Sequence, residues 1–254
     1  MPIDVDRMLQ GTMVAKAEHW STLSSTNDRA AELAARADVQ LPLVVVADQQ
    51  TAGRGRGGNR WWTGGGGLAF SLLVDAATVA ATANRSPLVA LATGVAVAES
   101  LALLLPGQNV GLHWPNDVFV DERKLAGILV EVLPNRRHVI GIGVNTNNLA
   151  TDAPQELRSR LATLRDLTGK QYDHTELLIG LLTQLNAVFA QLREDSASVL
   201  VAANDLCLQR GQMLTVQRPD RVITGRCVGI SFDGALLLDT GSGREACYSG
   251  VIPH

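Results

Sequence analysis

The chain has 254 residues, of which 46% are hydrophobic, so it can build one large core and a small additional domain. Its formal net charge of −3 provides no overall basic field, which argues against nucleic acid as a partner. The first residues lack the apolar stretch of a leader peptide and no apolar run is of membrane-spanning length, so we expect no membrane partner.

The chain has three cysteines, Cys207, Cys227 and Cys247, and they form no C-x-x-C pair. An odd number of cysteines without a leader peptide predicts reduced thiols and a cytoplasmic location. We interpret the three side chains as packing residues, and they give no reason to predict a metal site.

Taken in order, the first 20 residues carry weak signals and predict a short arm or helix. The polar sequence Ser-Ser-Thr-Asn at residues 24–27 then precedes a strongly helix-forming run at residues 28–37. These polar side chains can simply cap the helix, or one hydroxyl or amide can also face a ligand. The local sequence leaves both interpretations open.

A segment rich in glycine and arginine follows, between two apolar runs at residues 41–47 and 68–74 that predict strands. Residues 48–67 contain eight glycines, three arginines and two tryptophans. Glycine lets backbone N–H groups close on an anion at an entropic cost, and arginine supplies planar, charged donors for phosphate and carboxylate. The segment therefore predicts a ligand-binding loop that is mobile when empty, and a plain surface hairpin is the less favoured interpretation.

Three glycines in this segment, Gly53, Gly55 and Gly58, fit the G-x-G-x-x-G pattern of a dinucleotide-binding turn. That turn needs a helix directly after it, because the pyrophosphate sits at the helix N-terminus. Here the glycines lead into Trp-Trp-Thr and then into a predicted strand. We therefore reject a dinucleotide site.

The next part of the chain predicts one helix and a series of hairpin strands. A long apolar helix is predicted over residues 86–105. A strand interrupted at Pro115 is predicted over residues 112–120, and further strands over 124–132 and 136–145. Successive strands joined by short turns pair antiparallel, because parallel pairing needs a long crossover. The sequence therefore predicts an α+β fold.

The last part of the chain predicts two helices followed by a series of short strands. The helices are expected over residues 154–168 and 174–192. From residue 211, short strands separated by turns predict a small β-barrel of about five strands. We place the domain boundary near residue 210, which gives domains at residues 1–208 and 209–254.

Four polar clusters occur at predicted strand ends or in loops. They are Gln50 with Arg54 and Arg56, Asn116 with Asp117, Lys124 alone, and Asn145 alone. Taken singly, each is ambiguous, because a lysine at a hairpin end is usually just solvated and an asparagine often only forms a turn. Lys124 differs in that it begins a strand of mostly apolar residues.

Together these clusters resemble the biotin–protein ligase family. The resemblance covers about residues 22–148 and rests on five motifs in order: Ser25-Thr26-Asn27, Gln-Thr-Ala-Gly-Arg-Gly-Arg-Gly-Gly-Asn-Arg-Trp from Gln50, Trp-Pro-Asn-Asp to Asp117, Lys-Leu-Ala-Gly-Ile-Leu-Val-Glu from Lys124, and Gly-Ile-Gly-Val-Asn to Asn145. It implies a catalytic domain like the core of class II aminoacyl-tRNA synthetases, with a mixed, mainly antiparallel sheet. A small C-terminal SH3-like barrel is implied as well.

The activity implied by the resemblance is that of a biotin–[acetyl-CoA-carboxylase] ligase. Biotin and Mg-ATP would give biotinyl-5′-adenylate, and a lysine of a biotin carboxyl carrier protein domain would then attack the mixed anhydride. The expected ligands are thus biotin, ATP and Mg²⁺, and the expected partner belongs to a biotin-dependent carboxylase. We expect a monomer or homodimer without an N-terminal DNA-binding domain.

The resemblance also implies a role for each matching residue. Lys124, Arg54 and Arg56 would be catalytic, because a carboxylate and an α-phosphate are both anionic and cations must neutralise the developing charge. The implied biotin-binding residues are Ser25, Thr26, Asn27, Gln50, Arg54, Lys124, Gly127 and Ile128. The implied nucleotide-binding residues are Arg56, Trp61, Asn116, Asp117 and Asn145, and Asp117 would also hold the metal.

Some positions depart from the family pattern. His113 stands where the family usually has a lysine, which is expected to weaken ATP binding or make it pH-sensitive. Gly57 and Asn59 stand where arginine is frequent, and Thr63-Gly64 replaces a common Ser-Pro. None of these changes affects the implied catalytic cations, so an active enzyme is expected.

Two other functions stay open on the sequence. A lipoate– or octanoate–protein ligase shares the core and a lysine, although the Arg-Gly-Arg loop is the biotin-type form of this segment. A non-enzymatic biotin or nucleotide sensor, with His113 as a sign of lost catalysis, would bind its ligand without releasing pyrophosphate.

Overall fold

The computed structural model describes residues 3–79 and 86–253. Its helices are α1 Val5–Gln10, α2 Thr26–Ala34, α3 Ser86–Ala102, α4 Gln155–Arg158, α5 Leu164–Thr168, α6 His174–Glu194 and α7 Ser196–Asp205. Its strands are β1 Lys16–Leu23, β2 Leu43–Gln50, β3 Leu68–Val74, β4 Val110–His113, β5 Asp117–Val120, β6 Arg123–Val132, β7 His138–Val144, β8 Met213–Gln217, β9 Val222–Ile230, β10 Leu236–Asp239 and β11 Arg244–Cys247.

The first seven strands form one sheet in the order β1-β2-β3-β7-β6-β5-β4. β1 and β2 are parallel and are connected by α2, whereas the other neighbours pair antiparallel. The prediction of an α+β fold with a mixed, mainly antiparallel sheet is therefore confirmed. Hairpin turns join β4 to β5, β5 to β6 and β6 to β7, and α2 supplies the crossover that the parallel pair of β1 and β2 needs.

The two faces of this sheet are covered differently. α3 and α6 pack together over one face, and the apolar residues of α3 are buried along most of its length. On the other face, α2 covers a smaller cluster that includes Val45, Leu73 and Val139. Because side chains alternate along a strand, Gly141 and Gly143 lie on the same face as Val139, with Gly141 against the first turn of α2 and Gly143 farther along the strand. That uncovered end of the face is where the cavity described below forms.

By length and mean hydropathy alone, α6 is the one helix of the described residues that could cross a membrane. Its leucines recur at helical spacing and are buried, among them Leu178, Leu181, Leu182 and Leu185. The helix packs against α3, so its apolar side faces the protein core. This agrees with the helix predicted over residues 174–192.

Two predicted elements are divided in the structure. Residues 112–120 were predicted as one interrupted strand, but they form the antiparallel hairpin of β4 and β5, with Pro115 in its turn. Proline lacks a backbone N–H and is unsuited to a continuous ladder. Residues 154–168 form the short helices α4 and α5 instead of one helix, because Leu161 between them makes a β-bridge to Lys124.

The prediction of an arm or helix over the first 20 residues was only half right. α1 is present, but Lys16–Leu23 forms the edge strand β1. None of its residues is fully buried, so the alternation that identifies a half-buried strand is missing. α7 was not predicted either.

The C-terminal part forms a separate antiparallel sheet of four strands in the order β11-β10-β9-β8. The predicted small β domain is thus present, with four strands in the described residues where about five were expected. Val251, near the end of the chain, makes an isolated bridge to Gln217. The boundary between residues 208 and 209 stays a prediction.

Candidate active site

A cavity of about 610 Å³ lies between the uncovered end of the large sheet and the C-terminal segment at residues 249–252. It is bordered by the start of α2, the turn between β4 and β5, and residues 53–61, which we call the arginine loop. The predicted site residues that line it are Ser25, Thr26, Asn27, Gln50, Arg54, Arg56, Trp61, Asn116, Asp117, Lys124, Gly127 and Ile128. The fold thus brings together twelve of the thirteen predicted residues.

The floor of the cavity consists of backbone. Gly127 on β6 and Gly143 on β7 are register partners across the two strands. A Cβ at Gly143 would lie 2.3 Å from Trp61 Cε2, and one at Gly127 would lie 2.8 Å from Trp61 Cζ3. The indole ring therefore rests directly on the two strands, which only glycine permits at both positions.

Lys124 lies beside this floor. Its Nζ is 2.8 Å from Asp117 Oδ1 and 5.5 Å from the centroid of the Trp61 ring, and its side chain is one-third exposed. The backbone is held as well, since Lys124 N–H donates to Arg160 O at 2.8 Å and Lys124 O accepts from Ala162 N–H at 2.9 Å. These contacts place a cation and a carboxylate together at a fixed point of the cavity wall.

Asn145 is the predicted residue that lies outside the lining. It is buried, and its N–H donates to Leu125 O at 2.9 Å while its Nδ2 donates to Lys124 O at 3.3 Å. Asn145 thus braces the backbone that carries Lys124. Its predicted contact with the nucleotide stays a prediction.

The start of α2 both caps the helix and borders the cavity. Ser25 Oγ accepts from Asp28 N–H at 3.4 Å, so the capping interpretation of this residue is correct. Gln50 Oε1 accepts from Thr26 N–H at 2.8 Å and from its hydroxyl at 3.2 Å, while Gln50 Nε2 donates to Thr63 Oγ1 at 3.2 Å. The end of β2, the helix start and the segment after Trp61 are therefore tied by one amide.

Ser71 lies behind the cavity lining, where it supports Thr26 and Asn27, and the sequence analysis missed it. It lies in the middle of β3, where its Oγ donates to Asn27 Oδ1 at 2.6 Å and lies 2.8 Å from Thr26 Oγ1. A Cβ at the neighbouring Gly141 would lie only 2.1 Å from Asn27 Oδ1, so this glycine makes room for the asparagine. The signal was a single polar residue in an otherwise apolar strand.

Arg54 is paired with two carboxylates. Its Nη1 and Nη2 donate to Glu131 Oε1 and Oε2 at 2.9 and 2.8 Å, and Nη2 also lies 2.8 Å from Asp28 Oδ1. The hydrogen bonds that Arg54 donates to Glu131 raise the pKa of the guanidinium above its usual value. Glu131 closes the Lys124 motif in the sequence, but neither it nor Asp28 was predicted as a site residue.

Arg56 connects the arginine loop to the C-terminal part of the chain. Its Nη2 donates to Gly250 O, and its guanidinium carbon lies 6.0 Å from the centroid of the Trp114 ring. Burial lowers the pKa of this guanidinium, and the nearby charge of Asp117 opposes that shift. The part played by residues 249–252 had no signal in the sequence.

His113 also lines the cavity and stacks on Phe119, with ring centroids 4.6 Å apart. Gln209 Nε2 lies 3.1 Å from His113 Nε2, and Gln209 Oε1 accepts from Trp114 N–H at 2.7 Å. Because an amide nitrogen can only donate, the first contact is a hydrogen bond to an unprotonated His113 Nε2.

No group of three or more His, Cys, Asp or Glu side chains converges within the described residues. Asp117 is the one carboxylate among the residues that line the cavity, and it is paired with Lys124. This donor set fits a magnesium ion that arrives on phosphate oxygens and takes only one or two ligands from the protein. It does not fit a resident metal ion.

Comparison with protein-family models gives two matches. Residues 20–147 match the Biotin/lipoate A/B protein ligase family, and residues 211–254 match the Biotin protein ligase C terminal domain.

Individual relatives agree with these matches along most of the chain. The chain is 32% identical over 263 residues to the biotin–[acetyl-CoA-carboxylase] ligase of Mycobacterium tuberculosis, covering 100% of this chain and 96% of the relative. It is 35% identical to the enzyme of the same name from Paracoccus denitrificans, over 82% of this chain and 87% of the relative. The solved biotin protein ligase of Aquifex aeolicus in complex with biotin and ATP superposes with a TM-score of 0.82 at 30% identity, covering 94% of this chain and 98% of that one.

Proposed function

The chain belongs to the biotin/lipoate A/B protein ligase family, and on this premise we propose the reaction that its cavity supports. It is an ATP-dependent ligase that activates biotin as biotinyl-5′-AMP and transfers the biotinyl group to a lysine of a biotin carboxyl carrier protein. The observation that carries this proposal is the position of Lys124, held by Asp117 beside a floor of facing glycines.

In the first step, a biotin carboxylate oxygen attacks the α-phosphorus of ATP and pyrophosphate leaves. Both reactants are anionic, so the step needs fixed cations at the point where they meet. Lys124 supplies one, because Asp117 holds its ammonium group at the cavity wall. Arg56 supplies the other and keeps its charge in spite of burial, since a guanidinium is protonated throughout the physiological range.

The glycine floor leaves room for the fused ring system of biotin. Without side chains at Gly127 and Gly143, a ring can lie on the strands as the Trp61 indole does. Ser25, Thr26, Asn27 and Gln50 lie at the α2 end of the cavity and offer the hydroxyl and amide groups that a ureido ring requires.

Mg²⁺ is proposed to enter with ATP, with Asp117 as its protein ligand. Asn116 adjoins this carboxylate, and its Nδ2 donates to Ile128 O, which fixes the turn between β4 and β5. The predicted contact of Arg54 with substrate stays a prediction, because this guanidinium is paired with Glu131 and Asp28.

In the second step, the neutral amine of the acceptor lysine attacks the carbonyl carbon of the anhydride. An amide bond forms, AMP leaves, and the amine loses its proton to solvent. The mixed anhydride also reacts with water, so the arginine loop above the cavity serves as a lid until the acceptor arrives.

The assay that tests this function uses the purified chain, a carrier domain, biotin, ATP and Mg²⁺. We expect addition of one biotinyl group to the carrier lysine, seen by mass spectrometry, and release of pyrophosphate, both requiring all three small molecules. Transfer of lipoate or octanoate in preference to biotin would assign the lipoate branch of the family. Biotin binding without pyrophosphate release would assign a sensor.

We also propose a cytoplasmic location and a monomeric or homodimeric state, with neither nucleic acid nor membrane as a partner. The location is supported by the three cysteines, which are free and buried within the described residues. Sedimentation with and without biotin and ATP measures the oligomeric state.

A further inference from the structure

The contact between Arg54 and Glu131 joins the arginine loop to the strand that carries Lys124. Glu131 lies on β6 seven positions after Lys124, and Arg54 is 77 residues earlier in the chain. The contact is bidentate: Arg54 Nη1 donates to Glu131 Oε1 at 2.9 Å and Nη2 donates to Oε2 at 2.8 Å. This parallel geometry fixes orientation as well as distance.

Arg54 is well placed to hold the whole loop. The arginine loop is a narrow hairpin, in which Trp61 N–H donates to Gly53 O at 2.9 Å and Gly55 N–H donates to Asn59 O at 2.7 Å. Arg54 and Arg60 form the bridge between the two sides of this hairpin. Fixing Arg54 therefore also fixes the paired backbone of this hairpin.

Glu131 is in turn held by the body of the protein. Its Oε2 accepts from Asn27 Nδ2 at 2.6 Å, and Asn27 Oδ1 accepts from Ser71 Oγ at 2.6 Å. Ser71 lies on β3 in the middle of the large sheet and is fully buried. The anchor is thus a chain of hydrogen bonds that ends in the sheet.

The charges around Arg54 make it a poor site for an anionic substrate. Glu131 and Asp28 together carry two negative charges next to one guanidinium. A carboxylate or phosphate approaching Arg54 therefore meets a net negative group unless a carboxylate withdraws. Neither Glu131 nor Asp28 is part of the cavity lining, so both hold Arg54 from outside the substrate space.

We propose that Glu131 is a positioning residue that, together with Asp28, holds Arg54 and so fixes the arginine loop over the cavity. Arg54 then acts through the loop, and the substrate anions meet Lys124 and Arg56. This inference rests on the proposed ligase function for its kinetic consequences, but not for the structural contact itself.

The first test measures the loop without any ligand, by limited trypsin digestion after Arg56 and Arg60. Glu131→Gln keeps the shape of the side chain and removes its charge, and we expect cleavage to become roughly tenfold faster than in the unchanged protein. The matched control is Glu18→Gln, because Glu18 on β1 accepts from Arg29 Nε and Nη2 at 2.9 and 3.0 Å in a similar bidentate pair. Equal cleavage of both variants would overturn the proposal.

The second test separates positioning from direct substrate contact. We expect Glu131→Gln to raise the KM for biotin roughly tenfold and to leave kcat for pyrophosphate release nearly unchanged. This pattern is expected when a change weakens substrate binding and does not affect the chemical step. Arg54→Gln should have the same effect, and the double variant should be no worse than either single one. A kcat loss in Arg54→Gln well beyond that of Glu131→Gln would place Arg54 on the substrate and refute the inference.

The two tests also distinguish failure of the inference from failure of the proposed function. If the unchanged protein released no pyrophosphate, the ligase function would fail, while the digestion would still report whether Glu131 holds the loop. Should Glu131→Gln not fold, Arg54→Lys breaks the bidentate contact from the exposed loop and gives the same digestion readout.

Discussion

The floor and the arginine loop border the same cavity, but they are built in opposite ways. The floor is a run of antiparallel backbone pairs between β6 and β7, with glycines where side chains would intrude. The loop is a short hairpin held by two arginine side chains, one on Glu131 and one on Gly250 O, across 77 and 194 residues of sequence.

This difference predicts how each region fails. The backbone pairs of the floor lie in the middle of a cooperative sheet, so the floor opens only when the sheet does. The loop depends on a few polar contacts and can open while the fold stays intact. Changes in the floor should therefore abolish chemistry or stability, and changes in the loop should release the intermediate.

The largest expected effect concerns the floor. Lys124→Ala should lower the rate of pyrophosphate release by ~10²–10³, the usual cost of removing a group that stabilises developing charge. The melting temperature should hardly change, because the side chain is partly exposed. Lys16→Ala, which removes an exposed lysine from β1, is the control. Near-normal pyrophosphate release by the Lys124 variant would remove this residue from the mechanism.

A second change tests whether the floor depends on missing side chains. Gly141→Ala places a Cβ 2.1 Å from Asn27 Oδ1, so Asn27 must give up its bonds to Ser71 and Glu131. We expect a loss of about 1–3 kcal/mol in the free energy of unfolding, measured by urea denaturation.

The control for this change is Gly180→Ala, since an added Cβ at Gly180 in α6 has open space around it. Replacing a glycine within a helix by alanine should stabilise the protein by roughly 0.5–1 kcal/mol. If both variants lost stability equally, the loss at Gly141 would not come from crowding of Asn27.

The third prediction concerns the loop. Arg56→Gly removes the hydrogen bond to Gly250 O, and a bond from a charged group contributes about 1.5–3 kcal/mol. The adenylate that is formed should then escape and label unrelated lysines, so that labelling of a bystander protein such as albumin, divided by the pyrophosphate released, rises roughly tenfold. Labelling confined to the carrier lysine would mean that this contact does not close the loop.

The smallest expected effect is a pH dependence of the protein's stability. His174 Nε2 lies 2.8 Å from Thr146 Oγ1, whose hydroxyl donates to Gly66 O at 2.7 Å just before β3. Burial lowers the pKa of His174, and likewise that of His138, so the unfolded chain binds protons more readily than the folded one. Stability should therefore be full above the unfolded value of about 6.5 and fall as the pH drops below it.

This dependence is measured as the melting temperature at pH 7.5 and pH 5.5. Removing one of the two histidines, as in His174→Gln, should reduce the acid-induced loss by about 2–4 °C. Gln191→Ala serves as the control, because it changes an exposed side chain of α6 that carries no titratable group. If the melting temperature of the His174 variant fell as much between pH 7.5 and pH 5.5 as that of the unchanged protein, His174 would not be a source of the acid sensitivity.

The elements that the sequence predicted best are those with strong local signals. The apolar run of α3 and the spaced leucines of α6 gave both helices, and the runs of β3, β6 and β7 gave the strands that form the floor. The cavity residues were found because their motifs occur in order, and the sheet then brings the strand ends and turns together.

What the sequence did not predict depends on contacts between distant parts of the chain. In the sequence, Ser71 is only one polar residue in an apolar strand, and its role becomes visible only from its hydrogen bond to Asn27. Arg54 contacts the side chain of Glu131 and Arg56 contacts the backbone oxygen of Gly250, which lie 77 and 194 residues away in sequence. No local pattern specifies contacts over such distances. β1 was missed since its edge position leaves it without a buried face.

The indole of Trp61 on Gly127 and Gly143 has a consequence for measured affinities. A flat ligand that binds on this glycine pair takes the place of a ring that is already in van der Waals contact with the backbone. Binding is then an exchange of one ring for another, and the observed dissociation constant is the intrinsic one divided by the fraction of molecules in which the indole has moved aside. A smaller side chain at position 61 would remove this internal competitor, so the observed dissociation constant should fall toward the intrinsic one.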